Sequence, residues 1–388
     1  MSTVTKLKTV YDGCSDIRAA IKEKDSTLGA GSITTLSDDI RNINNRKYIR
    51  LIVKEPITET TTDPDSGEEV ENVVGYNYNV VDDRITTTYI GNNKYKNITD
   101  IVAAILPDDI TNTSADSFNN CTNLQYVNLN NITTLNSYAF YHCSSLKIDV
   151  NLPNLNSIVI GAFSGCGIRS ITSLGNITSI PSPSNLYNAP FQDCSNLKTV
   201  VLPETLTSVG GRAFSGCSSI TSINLPTSLQ TINGYAFYGI TGVPKTISLP
   251  NLTGTLGTGA FYGCGIEKIL DLGSITVIGN AASQTTGVFG RNQLTEVWLP
   301  STLTNIGNLA FGSPTGYGNF DLEFIVCKAT TPPTLANNAF NNTNSTFKIY
   351  VPYSSDHSIL NNYQTATNWS TYASRIYELN QDETIPTT

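Results

Sequence analysis

Charge is scarce in this chain. Of its 388 residues, 14% are Asp, Glu, Lys or Arg, and 23 basic residues face 31 acidic ones, giving a net charge of −8. No basic run occurs, so no stripe exists on which nucleic-acid phosphates would sit, and nucleic-acid binding is not expected. Histidine is rarer still: His142 and His357 are the only two. His142 neighbours Cys143, but no serine or acid is tied to it by motif, and a Cys–His dyad would need an exposed, activated thiolate. No HExxH or glycine–lysine phosphate loop is present, and no carboxylates are spaced as a glycosidase pair. These absences point to a non-enzymatic protein without cofactor or bound metal. No apolar run approaches the ~20 residues of a membrane span, so membrane insertion is not expected. The opening stretch, MSTVTKLKTVYDGCSDIRAA, has lysines but no apolar segment behind them and no lipidation motif. It does not read as a secretory leader.

What the chain has in quantity is repetition. Phe118, Phe140, Phe163, Phe191, Phe214, Phe237, Phe261, Phe289, Phe311 and Phe340 recur at steps of 22 to 24 residues, with three steps of 28 or 29. A fixed period of this length marks a solenoid. After Phe191 the apolar positions are Leu197, Val200, Leu202, Leu206, Val209 and Ala213; after Phe214 they are Ile220, Ile223, Leu225, Leu229, Ile232 and Ala236, at identical spacing. Val200 and Leu202 alternate as a half-buried strand does, and Pro203, lacking an N–H, ends it. One coil cannot bury its own apolar edge, so coils must stack, with strands ~4.8 Å apart.

The combination in AFSGCSSITSINLPTSLQTI resembles the BspA-like class of leucine-rich repeats, and the resemblance runs over roughly residues 98–352. It implies an α+β fold: a leucine-rich-repeat solenoid of about 10–11 coils over residues 97–352, closed by a helical cap in 353–388. The segment FKIYVP, followed by NNYQTATNWSTYASRIYEL, looks like that ending. Ahead of the solenoid, residues 47–96 read as a small β module, because YIRLIVKE, VVGYNYNVV and ITTTYIG are rich in β-branched and aromatic residues. Asp63, Asp65 and Gly67 lie at spacing faintly like a calcium loop, but Pro-Asp-Ser-Gly is turn chemistry and reads as a hairpin tip.

Cys121, Cys143, Cys166, Cys194, Cys217 and Cys264 each follow a repeat phenylalanine by three residues, a slot taken elsewhere by Ile240 or Asn292. Regular cysteines invite a disulfide or metal reading. Their register gives each two equivalent neighbours, which favours a column of buried free thiols. Cys14 and Cys327 stand apart, without an identifiable partner.

Residues 1–46 carry two short amphipathic stretches, with Ile17 and Ile21 on one face and Leu36, Ile40 and Ile43 on another. The arrangement IRAAI…G…LSDDI resembles the N-terminal helical segments of tailed-phage virion proteins; an ordinary helical hairpin is the alternative. The resemblance implies a virion component, a head or tail fibre or decoration. Its N-terminus would bind other virion proteins, and its solenoid would adhere to a bacterial-surface glycan or protein. A cell-surface BspA-like adhesin binding host matrix proteins is the competing reading; an enzyme or enzyme inhibitor is a distant third. A homotrimer would suit a fibre, though no heptad series enforces one. By strand register Tyr126, Asn128, Lys268, Glu296 and Trp298 face outward, with Tyr126 and Trp298 as exposed aromatics. Tyr141, Tyr238 and Tyr262, each one residue past a repeat phenylalanine, form a second candidate surface.

Overall fold

The computed structural model describes residues 48–62, 69–84, 87–183, 188–281, 286–314 and 318–386. The helices expected in 1–46, with Ile17, Ile21, Leu36, Ile40 and Ile43, fall outside these residues, as do Cys14 and the turn at 63–68.

The described chain opens with a hairpin. Strand β1 (Tyr48–Thr62) pairs antiparallel with β2 (Glu69–Arg84), from Tyr48 opposite Arg84 to Thr62 opposite Glu69. Beyond it come β3 (Tyr89–Ile90) and β4 (Ile101–Ile105). β1 also runs antiparallel to β4, with Leu51 opposite Ala104, and β4 pairs in parallel with Tyr126–Val127. The hairpin is thereby stitched to the first edge of a parallel sheet, where Ile49 and Leu51 enter the main core.

From there every coil repeats one circuit. In a first ladder Ile171 pairs with Val200 and Val200 with Ile223; in a second, Ile180 pairs with Val209 and Val209 with Ile232. Both ladders are parallel, and their β-branched residues point inward. The first-ladder strand is shorter than the alternation suggests: it stops at Val200, because the Leu202 N–H donates to the Asn224 side chain at 2.7 Å instead of to a strand. The third side of each coil is the phenylalanine corner. Rings from Phe118 to Phe340 stack at centroid distances of 5.4–6.0 Å and within 14° of parallel. The corner has its own ladder, running toward the next coil: Phe118 N–H donates to Ala139 O and Phe214 N–H to Ala236 O. Aiming alternate N–H groups at the next coil requires left-handed backbone two residues either side of the ring. Hence Asp116 and Asn120 flank Phe118 with φ of 57° and 60°, and Tyr235 and Gly239 flank Phe237 with 60° and 74°. At this corner glycine costs least, which accounts for the recurring GC.

One expectation is corrected at the start. Tyr89–Ile90 was expected within a separate β module, yet it pairs in parallel with Asn112–Thr113 as a second-ladder strand. Tyr95 stacks on Phe118 at 4.9 Å, flanked by left-handed Asn93 and Asn97. The coil series therefore starts ahead of residue 97, with tyrosine in the ring position. At the other end, helix α1 (Ser358–Thr365) buries Tyr363 and a 3-10 helix (Trp369–Arg375) buries Trp369. The strand Ile376–Glu378 then pairs in parallel with Lys348–Val351.

Candidate binding surface

The seven described cysteines are buried and unbridged. Each corner thiol donates to a carbonyl one coil back: Cys121 to Tyr95 O, Cys143 to Phe118 O and Cys217 to Phe191 O at 3.0–3.1 Å. Burial pushes the Cys121 and Cys264 thiols up to about 12, far from the activated range. Cys327 does have a partner, since Tyr363 Oη donates to its sulfur at 3.2 Å. Among the described residues, no three His, Cys, Asp or Glu side chains gather to hold a metal, and no helix is long and apolar enough to cross a membrane.

The structure redistributes the side chains expected to face outward. Tyr126 is not exposed: it packs against Ile52, Val102 and Ala103 beneath the hairpin, and burial pushes its phenol up to about 12. Asn128 is structural, its amide binding both Leu106 N and Leu106 O across one coil at 2.6 and 2.8 Å. Asn224 repeats this on Leu202. Both are removed from the candidate surface.

Lys268, Glu296 and Trp298 are brought together. The Glu296 carboxylate accepts from Lys268 Nζ at 2.8 Å on one oxygen and from Trp298 Nε1 at 2.8 Å on the other. Burial alone would raise the Glu296 carboxyl; the bonds from Lys268 and Trp298 outweigh it and hold the group below the usual carboxylate range. Lys328 Nζ sits 5.4 Å over the Trp298 ring, so the indole is half-buried and held in place. Trp298 is paired across the sheet with Val326, Val326 with Tyr350 and Tyr350 with Tyr377. Leu270, one residue past the Ile269–Val297 pair, continues this apolar line and is 44% exposed. Leu379 packs on Val326 and Tyr350, with Ile385 against them, so the line is covered at its C-terminal half and open around Leu270 and Trp298. Sequence reading stopped at Trp298. Carrying the same alternation into FIVC and KIYV would have found Phe324, Val326 and Tyr350.

Tyr238 and Tyr262 stack at 5.2 Å and 7°, one coil apart. The stack covers one face of each ring. Tyr141 lies four coils earlier and instead stacks on His142 at 4.0 Å. His357 lies at the surface, its Nδ1 2.6 Å from Glu378.

Stacked two-strand coils with leucine, phenylalanine and cysteine in fixed register define a leucine-rich-repeat protein. More narrowly, the chain belongs to the BspA type leucine rich repeat family, whose six-copy model matches residues 77–189, 181–287 and 285–372. Residues 1–76 lie outside the match. Among solved structures, it is similar to a leucine-rich repeat protein from Bacteroides ovatus, at 18% identity and a TM-score of 0.41, over 84% of this chain and 99% of that one. A leucine rich cell surface protein from Faecalibacterium prausnitzii aligns at 20% identity and 0.33, over 79% and 97%. The pneumococcal vaccine antigen PcpA aligns at 16% and 0.34, over 74% and 79%. No curated protein matches the chain.

Proposed function

We propose that the chain is a non-enzymatic adhesive protein that works on an exposed surface and holds a glycan or protein partner against the outer face of its first ladder. The observation that carries this is the apolar line opening at Leu270 and Trp298, flanked by the Lys268–Glu296 ion pair. Elsewhere that face is mostly small and polar, as at Thr199, Ser222 and Thr246, with Val201 as a lone exposed aliphatic away from any aromatic on its own strand. An indole held in place by Glu296 and Lys328 and rimmed by charge is the composition of a binding hot spot on a repeat surface. Trp298→Ala is expected to weaken adhesion of the purified protein to bacterial cells or to its hit on a glycan array. The loss should be about thirtyfold, matching a hot spot of about 2 kcal/mol. Undiminished adhesion by a stably folded Trp298→Ala protein overturns the assignment.

The carrier of that surface is proposed from sequence. The IRAAI…LSDDI segment resembles tailed-phage virion proteins, which supports a fibre or decoration, in trimeric form if the N-terminal helices associate. The alternative is a cell-surface BspA-like adhesin binding host matrix proteins. Deleting residues 1–45 tests the first reading: the shortened protein should no longer copurify with particles, and retention at wild-type amounts defeats it.

A further inference from the structure

The sequence has no basic run, yet coil stacking builds a short one. One residue past the buried aliphatic that precedes each first-ladder strand (Leu146, Ile168 and Leu197) stand Lys147, Arg169 and Lys198, all exposed. Their backbones are neighbours. Lys198 N–H donates to Arg169 O at 2.8 Å, and Arg169 N–H donates to Ile148 O, next to Lys147, at 3.0 Å. Two coil steps, ~10 Å, therefore separate the first of the three from the last. Farther along, the same position holds Glu267, Thr295 and Glu323, so the column turns acidic.

Every other lysine or arginine whose side chain is described has a partner, such as the Asp116 carboxylate for Lys96 or the Tyr235 ring for Arg212. Lys147, Arg169 and Lys198 have no ion pair, side-chain hydrogen bond or ring among the described residues. A carboxylate does stand beside them: Asp149, two residues past Lys147, accepts from Ser170 Oγ at 2.6 Å. Even counted in full it leaves two positive charges over, in a chain whose net charge is −8.

The surroundings select what can lie there. Ser170 and Thr199 pair with strands on both sides, so no free edge is open to a peptide backbone. Ser170, Thr199 and Ser222 are small hydroxyl residues and give a nucleic-acid base no ring to stack on. A hydroxyl-lined row with a cation at each step suits a stiff chain that carries anions at short intervals and hydroxyls between them.

We infer that Lys147, Arg169 and Lys198 bind an anionic polysaccharide, laid along the stack and held through its sulfates or carboxylates. The inference rests on the adhesive reading, because it uses the outer face of the first ladder, and it names a ligand class for the N-terminal half of that face. The probes are a heparin octasaccharide, for sulfate, and octagalacturonate, for carboxylate, titrated calorimetrically into the full chain. Octaglutamate and an oligothymidylate of similar charge are the comparisons. At least one glycan is expected to bind about tenfold more tightly than either comparison. Its affinity should fall about twentyfold between about 50 and 200 mM salt, as three neutralised anions require.

Replacing all three cations together (Lys147→Ser, Arg169→Ser, Lys198→Ser) alters exposed side chains alone. It should cost at least about thirtyfold in affinity and flatten the salt dependence. Asp149→Asn removes the opposing carboxylate and should tighten binding about threefold, a gain that misfolding cannot mimic. Equal binding of octaglutamate or the oligothymidylate, no binding of either glycan, or an undiminished triple variant overturns the inference. Whole-cell adhesion of the unaltered protein is measured alongside. Cells held while both glycans are ignored defeats the cation ladder alone; neither cells nor glycans held defeats the adhesive reading as well.

Discussion

Phe214 O, with Ile240 in the following slot, accepts only the backbone N–H of Cys217, but most of the buried corner carbonyls take a further donor from the following coil. The corner thiols supply it, and so do two amides: Asn292 Nδ2 reaches Phe261 O at 2.8 Å and Asn319 Nδ2 reaches Phe289 O at 3.1 Å. Asn292 also accepts from Ile266 N at 2.9 Å, so Asn292→Ala orphans two groups. It should cost about 2–4 kcal/mol in urea unfolding, and Asn292→Cys should recover about 1 kcal/mol by restoring a donor. Equal losses for the two variants would show that donation is irrelevant. The thiols also set an alkaline limit. Cys264 is raised from 9.0 to about 12 by burial, so folding favours its protonated form. Its contribution is whole below pH 9, where folded and unfolded thiols are both protonated, and is lost from there up to about 12 as the unfolded chain ionises first. The stability gap between wild type and Cys264→Ala should therefore narrow as pH rises above 9, by up to about 1.4 kcal/mol per unit. The repeat register was enough to place these cysteines in the core as free thiols. Their use as donors was hidden, because a linear pattern does not display the carbonyl one coil back.

At the scale of elements, the periodic coils were legible because inward β-branched residues at fixed offsets leave one way to stack. The ends were less so. Tyr95 escaped the series because it breaks the AF signature, and Tyr126 was read as outward without the hairpin that covers it. The C-terminal elements show what ending a ladder requires. Leu335 O and Pro333 O would accept backbone N–H groups from a following coil, as Ile306 O does from Ala336. Instead Asn368 Nδ2 donates to Leu335 O at 2.6 Å and Trp369 Nε1 to Pro333 O at 2.7 Å. Trp369→Phe keeps the packing and deletes the donor; it should cost about 1–3 kcal/mol and speed amide exchange in the last coil while leaving the first coils unchanged. Uniform change along the chain would count against a local role.

Across the whole molecule, contacts run between neighbouring coils, so stability is a sum of short-range terms. Phe214 lies mid-array, fully buried between Phe191 and Phe237. Phe214→Ala should cost about 3–5 kcal/mol and split the urea transition in two, with hydrogen exchange reporting separate halves. A single shifted transition would show longer-range coupling than the fold suggests. The donors on Asn368 and Trp369 also give biosynthesis a direction. During translation each nascent coil lays itself on the one before, beginning from the hairpin template, and the growing tip stays adhesive until these last side chains emerge. A message broken off early would release chains with a raw edge of carbonyls and an uncovered ring, free to join tip to tip into pairs.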